Sequence, residues 1–131
     1  MANDFDASIK LLYPVDKNTF STIDVLEPAD EYDVVANVEI GRDLNQFATE
    51  HILRVAIVNL STAEQVAVTE VREPLTPQDN SQRQQEMRAG FPALQTPGAG
   101  DVLQAVASYR VVAGANSDVS TAQSVTFAVG G

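Results

Sequence analysis

The sequence predicts an all-β domain, a two-sheet antiparallel sandwich, with a small β-barrel as the alternative closure. Three observations predict it. Val34, Ala36, Val38 and Ile40 fall at every second position. Leu103, Ala105, Ala107, Tyr109 and Val111 do the same, as do Val125, Phe127 and Val129. Strands send alternate side chains to opposite faces, so this rhythm marks segments with one buried face.

Along the chain, residues 8–15 read as a first strand with Ile9, Leu11 and Tyr13 inward. Pro14 belongs at an edge or at the strand's end, because it has no N–H to donate. Asp16-Lys17-Asn18 is a turn signal. Residues 21–26 form a short strand with Ile23 and Val25 on one face, and 27–33 an acidic loop that includes Tyr32. Residues 34–40 are the third strand, ended at Gly41. Residues 44–50 fit a helical turn or a loop. Residues 51–60 are almost continuously apolar, as in a central strand covered on both faces. Residues 65–72 follow, with Val66 and Val68 inward.

The rhythm then stops. Residues 73–101 hold four of the six prolines and three of the seven glycines, and read as one long connection. Within it, Ser81 and Gln84 have capping-box spacing, which predicts a short helix near 81–89 stopped by Gly90. Met87, Phe91 and Leu94 would anchor it to the sheet. Residues 102–113 and 122–129 close the chain as strands around a loop at 114–118. Alternation around Ala107-Ser108-Tyr109, a loop and a short last strand resemble the closing hairpin of immunoglobulin-like or fibronectin-III-like domains. That resemblance gives Tyr109 the place of the corner tyrosine. The family's paired cysteines and core tryptophan are absent.

The 131 residues suffice for a single domain, 1–131, with its own core. Zero cysteines exclude disulfides, thiolate metal sites and thiol nucleophiles, and a lone histidine, His51, excludes a multi-histidine centre within one chain. A net charge of −10 disfavours nucleic acid and anionic membrane surfaces. Only two of the eight basic residues are lysines, which fits a salt-adapted source or a biased genome equally. No segment approaches the ~20 apolar residues of a membrane helix, so no membrane insertion is expected. The start, Met1 to Asp6, carries acids where a leader carries basic and apolar residues. A cytoplasmic protein and a domain excised from a surface or secreted protein both fit.

Four constellations bear on function. Asp24, Glu27, Asp30, Glu31 and Asp33 could offer calcium its oxygens, with Asp101 or Asp118 joining, though without a calcium-loop signature; the plainer reading is a solvated loop that protects an edge. His51, Glu50 and one of Ser61, Ser108 or Ser120 would make a nucleophile–base–acid set on paper. No nucleophile elbow supports it, and a partly exposed histidine at a strand start is the simpler expectation. Thr96 to Gly100 precedes no capped helix, which argues against a phosphate loop. Asn59-Leu60-Ser61 matches a glycosylation acceptor. The fourth constellation is a partner surface on the 73–101 connection: Arg72, Arg83 and Arg88 as a basic patch, with Met87 and Phe91 beside them.

The leading expectation is therefore a non-catalytic module for protein–protein contact or assembly, binding a protein partner or a second copy of itself, and not an enzyme. A calcium-dependent binding module on loop 24–33 comes second, and a hydrolase third. Residues 8–15 could also be donated to a neighbouring copy's sheet.

Overall fold

The computed structural model describes residues 6–95 and 98–131. The acidic start at 1–5 and the Thr96-Pro97 part of the glycine-rich segment lie outside these. The described chain is a β-sandwich with almost no helix. Its strands are β1 (Ala7–Asp16), β2 (Val25–Leu26), β3 (Tyr32–Ile40), β4 (Ala48–Asn59), β5 (Glu64–Pro74), β6 (Arg83–Phe91), β7 (Val102–Ala113), β8 (Asn116–Gln123) and β9 (Phe127–Val129), with one helical turn α1 (Arg42–Asn45). The smaller sheet runs β1-β3-β6. The larger runs β2-β9-β7-β4-β5, with β8 also pairing β7. All pairings are antiparallel except the two-residue β2–β9 pair.

The alternating residues of the sequence form the interior. Val34, Ala36, Val38 and Ile40 of β3 face Leu53, Val55 and Ile57 of β4 and Leu103 to Val111 of β7 within one buried cluster. Tyr32 stacks on Phe91 with ring centroids 5.2 Å apart and meets Phe127 edge-on at 6.4 Å. Burial of this apolar area is the main force closing the two sheets.

Several expectations are corrected. Residues 83–91 are a strand and not a helix, so the 73–101 connection is divided in two. Met87, Ala89 and Phe91 alternate and lie opposite Ala36, Val34 and Tyr32 of β3. A helix would have turned Ala89 away and left the backbone of β3 unpaired on that side, so tertiary pairing overrode the capping signal. The Ser81 carbonyl instead accepts from Asn45 Nδ2 at 3.0 Å.

In β1 the register shifts between Ile9 and Leu11. One extra residue reverses the facing of all that follows. Leu12 and Pro14 therefore turn inward, while Leu11 is 59% exposed and Tyr13 half-buried. β1 is paired along β3 of its own chain and is not a free strand to donate.

Residues 21–24 are tied to β1 through Ile23 N–H to the Pro14 carbonyl (3.0 Å), which leaves only Val25–Leu26 to pair β9. Ile23 is buried and Val25 exposed. Tyr32 belongs to a core strand, not to a loop. Val68 lies opposite Ala56, on the outer face, while Val66 packs on the core. The last segment breaks at Ser124, which is buried and exchanges bonds with Ala105 (2.9 and 3.0 Å); Val125 is left exposed. The loop at 114–118 contracts to Gly114-Ala115, with Gly114 at φ +64°, where glycine is unstrained.

Candidate interaction surfaces

The chemistry-bearing residues of the sequence are distributed over three places. Of the three arginines expected to form a patch, each goes to a different one.

Arg83 sits opposite Ile40 on the inward side of β6. Its Nε donates to Asn45 Oδ1 at 3.0 Å and its terminal nitrogen to the Thr76 carbonyl at 2.7 Å. Nearby, Gln85 Nε2 donates to Glu73 Oε2 at 3.0 Å, and the same oxygen lies 3.3 Å from His51 Nε2. His51 Nδ1 is 2.8 Å from the Tyr109 hydroxyl. The carboxylate favours the tautomer with the proton on Nε2, so Nδ1 accepts from Tyr109.

His51 is fully buried, against the expectation of partial exposure, because its strand begins at Ala48 and places it deep under β5. Burial pulls its pKa below the ordinary value, and the contact with Glu73 only partly opposes this. The ring is neutral near pH 7. Burial likewise pushes the Tyr109 phenol up. Tyr109 therefore bonds a histidine side chain across β4, not the backbone as a corner tyrosine does.

Arg88 points the other way, onto the outer face of the smaller sheet. Its guanidinium donates to Asp33 Oδ2 at 2.9 Å and lies 4.9 Å from the Phe20 ring centroid. Asp33 is 1% exposed. It also accepts from Asn18 N–H at 3.0 Å and pairs with Lys17 Nζ at 3.1 Å. Burial pushes this carboxyl up, but Asn18, Arg88 and Lys17 together hold it below the usual carboxylate value. Asn18, at φ 61°, turns the chain so that Lys17 and Asn18 meet one carboxylate.

Asp33 is thus neutralised within the fold, and the five carboxylates do not converge. Asp24, Glu27, Asp30 and Glu31 stay on exposed segments around β2. Among the described residues no three acidic or histidine side chains gather closely enough to hold a metal ion. Asp118 Oδ2 accepts from Ala7 N–H (2.8 Å) and Asp101 Oδ2 from Asn59 Nδ2 (2.9 Å). Asn59 is buried, and its Oδ1 caps the turn by accepting from Ser61 and Thr62 N–H at 3.0 and 3.2 Å. The glycosylation triplet is thereby a structural turn.

Arg72 lies on the outer face of the larger sheet, bound to Glu50 at 2.6 Å and near Glu70 at 3.8 Å. Glu50 is therefore no partner of His51. Met87 and Phe91 are each 1% exposed and cannot line a contact surface. The hydrophobic contacts expected of them are made inward, against β3. The His51–Glu73–Gln85 chain escaped sequence reasoning, because residues 51, 73, 85 and 109 meet only through the pairing of β4 with β5 and β7 and the approach of β6 to β5.

Several depressions remain, and three of them are broad and open. One of about 360 Å³ on the smaller sheet is lined by Lys10, Asn37, Glu39, Gln84 and Glu86. A second, of about 440 Å³, lies among Asp16, Lys17, Asp30 and Glu31. A third, of about 190 Å³, lies on the larger sheet among Arg54, Ala56, Val106, Ser108 and Thr121. Among the described residues no helix is long and apolar enough to cross a membrane.

No family profile matches this chain, and no curated protein matches it. Solved structures do. A protein from Archaeoglobus fulgidus matches at TM-score 0.52 and 9% identity, over 92% of this chain and 97% of that one. The Bacteroides uniformis β-glucuronidase matches at TM-score 0.51 and 11% identity, over 86% of this chain. A glycosyl hydrolase family 2 member from Bacteroides cellulosilyticus matches at TM-score 0.50 and 13% identity, over 93% of this chain. This chain spans only 12% and 14% of those two glycosidase chains. These likenesses place the fold among β-sandwich domains.

Proposed function

We propose that this protein is a non-catalytic β-sandwich module that works through protein–protein contact or assembly. The observation that carries this is where the reactive groups are spent. Asp33, His51, Glu73, Arg83 and Arg88 all hold the fold together. His51 is buried against a buried tyrosine rather than opening on any of the depressions described. What the molecule offers to the outside is two broad sheet faces and an acidic end, which is the equipment of a contact module. Likeness to stretches of glycosidases at 11% and 13% identity concerns the fold, and their activity is not carried over.

Light scattering after size-exclusion chromatography, with and without calcium, tests this reading. The expected result is a mass above the 14.0 kDa of one chain at high concentration, unchanged by calcium. A single-chain mass at every concentration overturns the assembly reading. Association that appears only with calcium transfers function to the acidic segment 24–33.

A further inference from the structure

The outer face of the larger sheet differs in charge from the rest of the molecule. Pairing across β5, β4, β7 and β8 sets its rows. Arg72, Ile52, Arg110 and Val119 form one; Glu70, Arg54, Ser108 and Thr121 the next; Val68, Ala56, Val106 and Gln123 the third. Glu50 and Val112 extend it at one end. The face therefore carries three arginines against two glutamates, leaving 5 basic and 16 acidic residues elsewhere.

Both glutamates lie beside Arg72. Arg54 and Arg110 are exposed and have no ion pair with a described residue. Around them lie half-buried Ala56, Val68, Val106 and Val112, buried Ile52, and Val119, which is 55% exposed. Two uncommitted guanidinium groups set in an apolar field suit a carboxylate-bearing protein partner.

The complementary surface is on the same chain. Residues 18–41 contain no lysine or arginine. Asp24, Glu27, Asp30 and Glu31 are exposed there, with no ion pair to a described residue, around Val25, itself 55% exposed. Lys17, which borders the depression lined by Asp30 and Glu31, is occupied by Asp33, as is Arg88. Within one molecule the acidic end and the arginine face do not pair.

We infer that the arginine face of one copy docks the acidic end of a second copy, head to tail. This rests on the contact-module reading and gives it a partner. Joined head to tail, the contact is heterologous, and it propagates into a chain or closes into a ring. The net charge of −10 opposes approach at very low salt, whereas high salt weakens the contact itself. Association is therefore strongest at intermediate ionic strength.

Sedimentation velocity on the whole chain at about 0.15 M salt, where the screening length is about 8 Å, is the test. The wild type should form species that grow with concentration. Arg54→Ala/Arg110→Ala should weaken association at least tenfold, and Asp30→Asn/Glu31→Gln likewise. Both pairs are exposed, so the fold should survive; circular dichroism checks this. Mixed one to one, the two variants retain one intact arginine face and one intact acidic end, and should form a dimer that stops at two. Oligomers whose mass is unchanged in both variants overturn this docking while leaving the contact-module reading in place. A wild type that stays monomeric overturns this docking and the assembly reading with it, and leaves only contact with a different protein.

Discussion

Removing the Asp33 carboxylate should destabilise the fold in a way that depends on pH. Asp33 gathers one backbone N–H and two cationic side chains within 3.1 Å while 1% exposed. Truncating one partner of a buried, hydrogen-bonded ion group costs about 3–5 kcal/mol. The cations here are only part-buried, with side chains 38% exposed for Lys17 and 30% for Arg88. Water recovers some of the loss, which lowers the expectation for Asp33→Ala to about 2–4 kcal/mol. Asp33→Asn keeps one acceptor and should lose about 1–2 kcal/mol.

Urea unfolding at pH 7 measures this. With a slope of about 2 kcal/mol per molar, the middle of the usual range for urea, the midpoint of Asp33→Ala should fall by about 1–2 M. The pH dependence fixes the cause. The folded carboxyl titrates below the unfolded value, near 3.9. Its contribution is complete above that value and is lost as pH falls through the folded one. The gap between wild type and Asp33→Asn should therefore close as pH drops from about 5 toward 2. A gap that stays constant over that range, or a loss under about 0.5 kcal/mol for Asp33→Ala, refutes the account of a buried, charge-held carboxylate.

Other perturbations follow from single contacts. Tyr109→Phe leaves His51 Nδ1 without its 2.8 Å donor inside the core, and should cost about 1–3 kcal/mol in thermal or urea unfolding. His51 is held below its ordinary value, so its contribution is present above pH ~6.5 and lost as pH falls through the folded value. His51→Gln should flatten the stability profile below about pH 6.5, read by unfolding as the pH is lowered from 7. Ala63 adopts φ 60° in the β4–β5 turn, where a Cβ is strained. Ala63→Gly should stabilise the fold by up to about 1 kcal/mol, seen as a rise in Tm. A Cβ at Gly90 would meet Lys17 Nζ at 2.9 Å, the mobile tip of a long side chain. Gly90→Ala should therefore weaken the Lys17 pairing, a small loss that is largest near pH 7 and fades as pH falls and Asp33 is protonated, read by urea unfolding at both ends.

The fold class lay in the sequence because side-chain alternation is a local property. Val34 to Ile40 and Leu103 to Val111 state their buried face without reference to any neighbour, and both behave as read. Met87, Ala89 and Phe91 alternate too, but the capping signal at Ser81 and Gln84 read as a helix there, and only pairing with β3 decides in favour of the strand. The facing of Leu11 and Leu12 depends on one extra residue in β1, which has meaning only against the register of β3. For the candidate site the division is sharper. The sequence by itself determined the excess of acids, the lone histidine and the stock of arginines. Only the tertiary structure decided which of those charges are neutralised inside the fold and which are left over. Asp33 and Arg88 are 55 positions apart, and His51 and Tyr109 are 58 apart. Ion pairing and burial act through space, so charges close in sequence, such as Arg83 and Arg88, end on opposite faces of one strand, while Arg54 and Arg110, far apart in sequence, share a face.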